Sequence, residues 1–198
     1  TADGDVSVTA SNTGSIDATA LGVSLTISQS SDGTAASLSA NVAVTTNTIN
    51  STTRAAIEDS VPGTPNTVTA DGDLTLSAAG SGIILADAVS AQVNFALSSS
   101  GNAIAGGVNA AVALNDITST TEAVIDGVDS TATTGDVSVT ASSDKQIDAL
   151  VVAASASMAI SSSSNSVALT GAGAGATNET NNSVLAIIRA ADVQATGG

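Results

Sequence analysis

Carboxylates supply almost all the ionisable chemistry of this 198-residue chain: 18 Asp and Glu stand against three cations, Arg54, Lys145 and Arg189. The spacing with most chemical meaning is Asp3-Gly4-Asp5, repeated as Asp71-Gly72-Asp73. Two carboxylates around a glycine turn offer hard oxygen ligands from a loop, which is what calcium takes. Asp3, Asp5, Asp71 and Asp73 are therefore the candidate metal ligands, with calcium as the ion and no other cofactor expected. Asp126-Gly127-Val128-Asp129 and Glu58-Asp59 are further acidic pairs. The competing reading is structural, because Asp-Gly is a favoured turn pair in its own right. The third copy keeps only Gly135-Asp136, and the chain contains neither a Gly-Gly-x-Gly-x-Asp repeat nor an EF-hand loop.

Other site chemistry lacks its residues. Without His or Cys there is no Ser-His or Cys-His pair and no usual zinc ligand set. Glycine-rich nucleotide loops are absent as well, so the chain reads as a non-enzyme with no catalytic residues. Paired carboxylates can still cleave glycosidic bonds, which keeps a carbohydrate-binding or carbohydrate-cleaving β-helix as the alternative. A net charge of −15 argues against nucleic acid and anionic membranes as partners. The longest apolar run, Ala149 to Ile160, falls short of the roughly 20 residues that span a bilayer, so no membrane insertion is expected. A basic-then-apolar leader is not present at the start of the sequence.

The elements that must position these acids come from a repeat. Gly4-Asp5-Val6-Ser7-Val8-Thr9-Ala10 returns as Gly72-Asp73-Leu74-Thr75-Leu76-Ser77-Ala78 and as Gly135-Asp136-Val137-Ser138-Val139-Thr140-Ala141. Each copy is a turn dipeptide followed by apolar/polar alternation, the signature of a half-buried strand. A repeat of this length indicates a stacked, quasi-one-dimensional body. One continuous solenoid is expected over residues 1–198, built of tandem units at about 1–68, 69–131 and 132–198. Phe95 is the lone aromatic residue, while 42% of residues are hydrophobic. A core of Ala, Val, Ile and Leu suits the narrow interior of a β-solenoid.

Further landmarks recur in each unit. Apolar-Asp-Ala triplets stand at Ile16-Asp17-Ala18, Ala86-Asp87-Ala88 and Ile147-Asp148-Ala149, and Ser-rich turns at 28–33, 98–102 and 161–165. Next come Ala36, Leu38, Ala40, Val42 and Val44, then Ile104, Gly106, Val108, Ala110, Val112 and Leu114, then Val167, Leu169, Gly171, Gly173 and Gly175, each set alternating on one face and expected to line the core. Asn47, Asn115 and Asn178 end these segments, and asparagine suits a corner. There the alternation flips, so that Ile49, Thr53, Ala55 and Ile57, with their counterparts, point inward. Dividing each unit by three predicts an all-β parallel β-helix of about nine coils of roughly 22 residues, a rod about 45 Å long. An antiparallel sandwich is the structural rival. Both chain ends fall at one point of the period, and neither carries a capping helix. The expectation is an excerpt of a longer repeat protein, or chains that associate with themselves end to end or laterally.

Two stretches resemble a known family. Val68-Thr69-Ala70-Asp71-Gly72-Asp73-Leu74-Thr75-Leu76-Ser77-Ala78 and Val44-Thr45-Thr46-Asn47-Thr48-Ile49-Asn50-Ser51-Thr52-Thr53-Arg54-Ala55-Ala56-Ile57 look like the repeats of very large secreted bacterial adhesins of the filamentous-haemagglutinin and leukotoxin-like kind. The resemblance covers all three units. It implies a right-handed parallel β-helix, an extracellular or cell-surface location, and a stalk or adhesive filament whose partners include host or neighbouring cell surfaces. The third unit departs from the pattern with Asn181-Asn182-Ser183 and a Gly-Ala tract.

Overall fold

The computed structural model describes residues 1–59 and 66–197; Pro62 and Pro65, expected in a longer closing loop, lie outside them. Nine strands run in order: β1 (Val6–Ser30), β2 (Ala35–Glu58), β3 (Asn66–Ala70), β4 (Leu74–Ser98), β5 (Ala103–Asp126), β6 (Val128–Ala132), β7 (Val137–Ser161), β8 (Ser166–Arg189) and β9 (Val193–Ala195). They form three parallel sheets, β1-β4-β7, β2-β5-β8 and β3-β6-β9. The fold is a parallel β-solenoid, as the repeat predicts. Each strand pairs with its equivalent one repeat later, Val6 with Leu74 and Leu74 with Val137.

The coil count differs from expectation. One whole repeat makes one coil, so three wide coils replace the nine of roughly 22 residues. The physical reason lies in the supposed corners. The alternation of β1 continues through Ile16-Asp17-Ala18, and that of β2 through Asn47, without a break. The Ser-rich turns do reverse the chain, between Ser30 and Ala35 and at the matching places in the other coils. Strands of 25 and 24 residues result. At ~3.3 Å per residue they extend about 80 Å, while three coils stack to only about 10 Å between the outer strands. The body is a broad slab, not a 45 Å rod.

The two long sheets face each other, and the third closes the end near the Gly-Asp turns. In that end, called proximal here, the interior is mainly aliphatic, with Thr53, Ser119 and Thr121 also buried. Leu74, Leu76, Ala55, Ala70 and Ile125 are buried together, with Val6, Val8 and Ile57 packed against them. Further along, Ile84 and Ile117 are buried among Ile16, Ile49 and Ile147. Ile16, Ile84 and Ile147 occupy one rung of the β1-β4-β7 sheet. Stacking identical β-branched side chains keeps each in its preferred rotamer and excludes water from a continuous column.

In the other, distal half the sides are exchanged. Inward residues of β4 become Ser90, Gln92 and Asn94, all buried and bonded across the slab to Asn109 and Ser39. Apolar residues move outward. The segments of β2, β5 and β8 that begin at Ala36, Ile104 and Val167, expected to line the core, form the outer face of their sheet, with Leu38 69%, Val108 65% and Leu169 75% exposed. The predicted flip at Asn47 does not occur, because odd-numbered residues of β2 face inward along its whole length. What changes there is the chemistry of the two faces. Hydrogen bonding makes the polar interior tenable. Asn109 Nδ2 donates to Ser90 O at 2.8 Å and Ala154 O at 2.6 Å across the slab. Asn94 Nδ2 donates to Gly106 O at 3.0 Å, and Gln92 Nε2 to Ser39 O at 2.9 Å. A Cβ at Gly107 would press on the amide groups of Gln92 and Asn94, so glycine there leaves these side chains their room.

Candidate assembly surfaces

Asn47, Asn115 and Asn178, taken from sequence as corner residues, stand on one inward rung of the β2-β5-β8 sheet. Asn47 Nδ2 donates to Asn115 Oδ1 at 2.8 Å, and Asn115 Nδ2 donates to Asn178 Oδ1 at 2.8 Å. Equal residues on one rung of a parallel sheet sit one strand spacing apart. That separation lets each amide bond to the next. The ladder has a direction: the Asn47 oxygen is left over at one end and the Asn178 NH2 at the other. Residue identity at the same phase of all three repeats was the available signal, and it indicated a column more directly than a corner.

The Gly-Asp turns also link coil to coil, with the donor on the later coil instead of the earlier one. Asp5 Oδ1 accepts a hydrogen bond from Asp73 N at 2.9 Å, and Asp73 Oδ1 accepts one from Asp136 N at 2.9 Å. A carboxylate in one coil thus caps a backbone N–H of the next, satisfying a donor that no ladder uses. Asp129 does the same for Asp192 N at 2.9 Å. Asp71 accepts from Thr133 Oγ1 at 3.0 Å, and Asp3 is exposed. The candidate ligands Asp3, Asp5, Asp71 and Asp73 therefore sit on the surface, with Asp5, Asp71 and Asp73 in bonds between coils. Among the described residues, no group of three or more His, Cys, Asp or Glu is placed to hold a metal ion.

All the charged side chains but Asp32 lie in the proximal half or at its border with the distal half. Between Asp87 and Asp116, and between Asp148 and Glu179, no ionisable side chain occurs, and Asp32 at the turn is the lone one between Asp17 and Arg54. The acids are grouped, not scattered. Arg54 bridges Glu58 and Glu122, the latter at 3.2 Å, and Arg189 pairs with Asp126 at 2.9 Å. The Arg54 hydrogen bond holds the Glu58 carboxyl below its ordinary range, and Asp126 raises Arg189.

On the outer face of β2-β5-β8 the distal half carries an open apolar groove of about 820 Å³, floored by Gly106 and walled by Leu38, Ile104, Val108 and Leu169. Leu38, Gly106 and Leu169 are register partners on one rung. Sequence reading missed this face because alternation reports a period without saying which side is inside. The run free of charge was the available signal. No helix is long and apolar enough to cross a membrane among the described residues. No protein-family model matches the chain, and neither the curated proteins nor the solved structures contain a significant match to it.

Proposed function

We propose that the chain is a structural and adhesive segment of a bacterial extracellular filament, in which further coils of the same repeat continue the solenoid along its axis. The observation that carries this reading is that the asparagine ladder and the aspartate caps each leave unused, complementary groups at the two ends of the slab. One end of the slab presents the Asn47 oxygen and the edge strands β1 and β2. The opposite end presents the Asn178 NH2, the Asp136 carboxylate and the edge strands β7 and β8. Donor at one end meets acceptor at the other, so a second copy stacked head to tail extends every ladder without rearrangement. Backbone bonds along the axis would then share load among about 50 strand residues per junction, which suits a stalk. The resemblance of the repeats to secreted adhesins supports the placement at the cell surface.

Electron microscopy of concentrated chain should show unbranched fibres, and aligned fibres should give an axial spacing of about 4.8 Å. Asn178→Asp keeps the acceptor for Asn115 but opposes a carboxylate to the Asn47 oxygen of the next copy, so fibre length should fall steeply. A compact monodisperse wild-type particle at every concentration would overturn the reading.

A further inference from the structure

We infer that the distal outer face of the β2-β5-β8 sheet packs face to face with the same face of a second copy, about a two-fold axis lying in the interface plane and perpendicular to the strands. This is an interface separate from axial stacking and does not depend on it. Three observations converge. The first is relief. Along three adjacent rungs the face reads Ala36-Ile104-Val167, Leu38-Gly106-Leu169 and Ala40-Val108-Gly171, so bulky side chains surround a glycine hollow. Gly171, Gly173 and Gly175 have open space where a side chain would stand. Knobs and hollows of like size on one surface fit a rotated copy of that surface, as an isologous contact requires.

The second is area. Eleven residues along three strands cover about 500 Å² in projection, or about 1,000 Å² for the pair, which reaches the size at which specific interfaces begin. The third is charge. All of the net −15 except Asp32 is held by the proximal half, with Asp116 and Glu179 outward just beyond the patch. An in-plane two-fold axis perpendicular to the strands overlaps the neutral halves and sends the acidic halves in opposite directions. An axis along the strands would set the acidic rows against each other. Two aligned sheets can pack in this way with side chains interdigitated. A lipid surface fits the structure less well, since the edge strands would bring unpaired N–H and C=O groups into hydrocarbon.

The chain has no cysteine, so a single introduced thiol reports contact between copies. In the Asn178→Asp background, which removes axial growth, sedimentation equilibrium from 1 to about 100 µM should give twice the monomer mass. Adding Val108→Asp should weaken the pairing at least tenfold, with the far-ultraviolet circular dichroism unchanged; Leu169→Asp on the neighbouring strand serves if that variant misfolds. Oxidised Ala110→Cys, near the centre of the face, should cross-link, and Asp116→Cys should not. Monomers throughout, an unaltered dimer in both Asp variants, or cross-linking through Asp116→Cys alone would overturn the inference. Flotation of a monomer with neutral phosphatidylcholine vesicles would overturn it also, by naming lipid as the occupant. Fibre loss in Asn178→Asp reads the axial junction alone, so the two proposals fail separately.

Discussion

The proximal and distal halves of the slab share one backbone and opposite chemistry. Around Ile84 the inside is aliphatic and the outside carries acids; around Asn94 the inside is amide and hydroxyl, and the outside is Leu, Val and Ile. The same strands run through both, with no bulge or register change between them. Parallel ladders therefore set the fold, and side chains decide only what each face can do. The proximal half holds itself together by burial. The distal half holds itself together by hydrogen bonds across the slab and a small alanine cluster around Ala35, Ala96 and Ala103, and leaves its larger apolar side chains on the surface.

The largest expected effect tests the first part of that contrast. Ile84→Ala should lower the unfolding free energy by about 2–5 kcal/mol in urea titration, since it opens a cavity in the isoleucine column. Val108→Ala, equally aliphatic but outward, should change stability of the unpaired chain by no more than about 0.5 kcal/mol. Equal losses would erase the distinction between the halves. Next comes Asn109→Ala, which strips the Ser90 hydroxyl and two cross-slab carbonyls of their partner; a loss of about 1–3 kcal/mol is expected. If the variant is neutral, the polar interior is not what joins the distal sheets. Smallest is Arg54→Ala, which removes an exposed bridge whose worth is screened by water. Because Glu58 is held below its ordinary range, the bridge contributes above that range and its contribution disappears as pH falls through the lowered value. The shift in melting temperature between wild type and Arg54→Ala should therefore be small at pH 7 and vanish in acid or in 1 M salt.

Much of the fold was legible. The triple Gly-Asp-x-x-x-x-Ala motif gave the repeat, the alternation gave strands, and Val6, Val8 and Ile57 do point inward. The Ser-rich turns lie where the sequence put them. Coil size was not legible, because a residue suited to a corner, such as Asn47, is equally suited to a buried amide column, and one sequence does not say which pairing distance is used. The exposed faces were misread for a related reason. With period two, the side on which Leu38 and Val42 lie depends on phase relative to Ile49, and the sequence reading let the apolar residues fix that phase. Of the candidate site, the carboxylates were found but their bonds to neighbouring coils were not, since those bonds join residues 68 and 63 apart.

The first repeat is longer than the second, yet both supply strands of the same lengths in register, because the difference falls in the corner segments, chiefly between Glu58 and Asn66, where the second repeat has Gly127 alone between Asp126 and Val128. On either side of those extra residues β2 and β3 stay in register with β5 and β6. Foreign epitopes or enzymes spliced there would be displayed in a row along one narrow side of the stack, spaced by whole coils, as on a ruler.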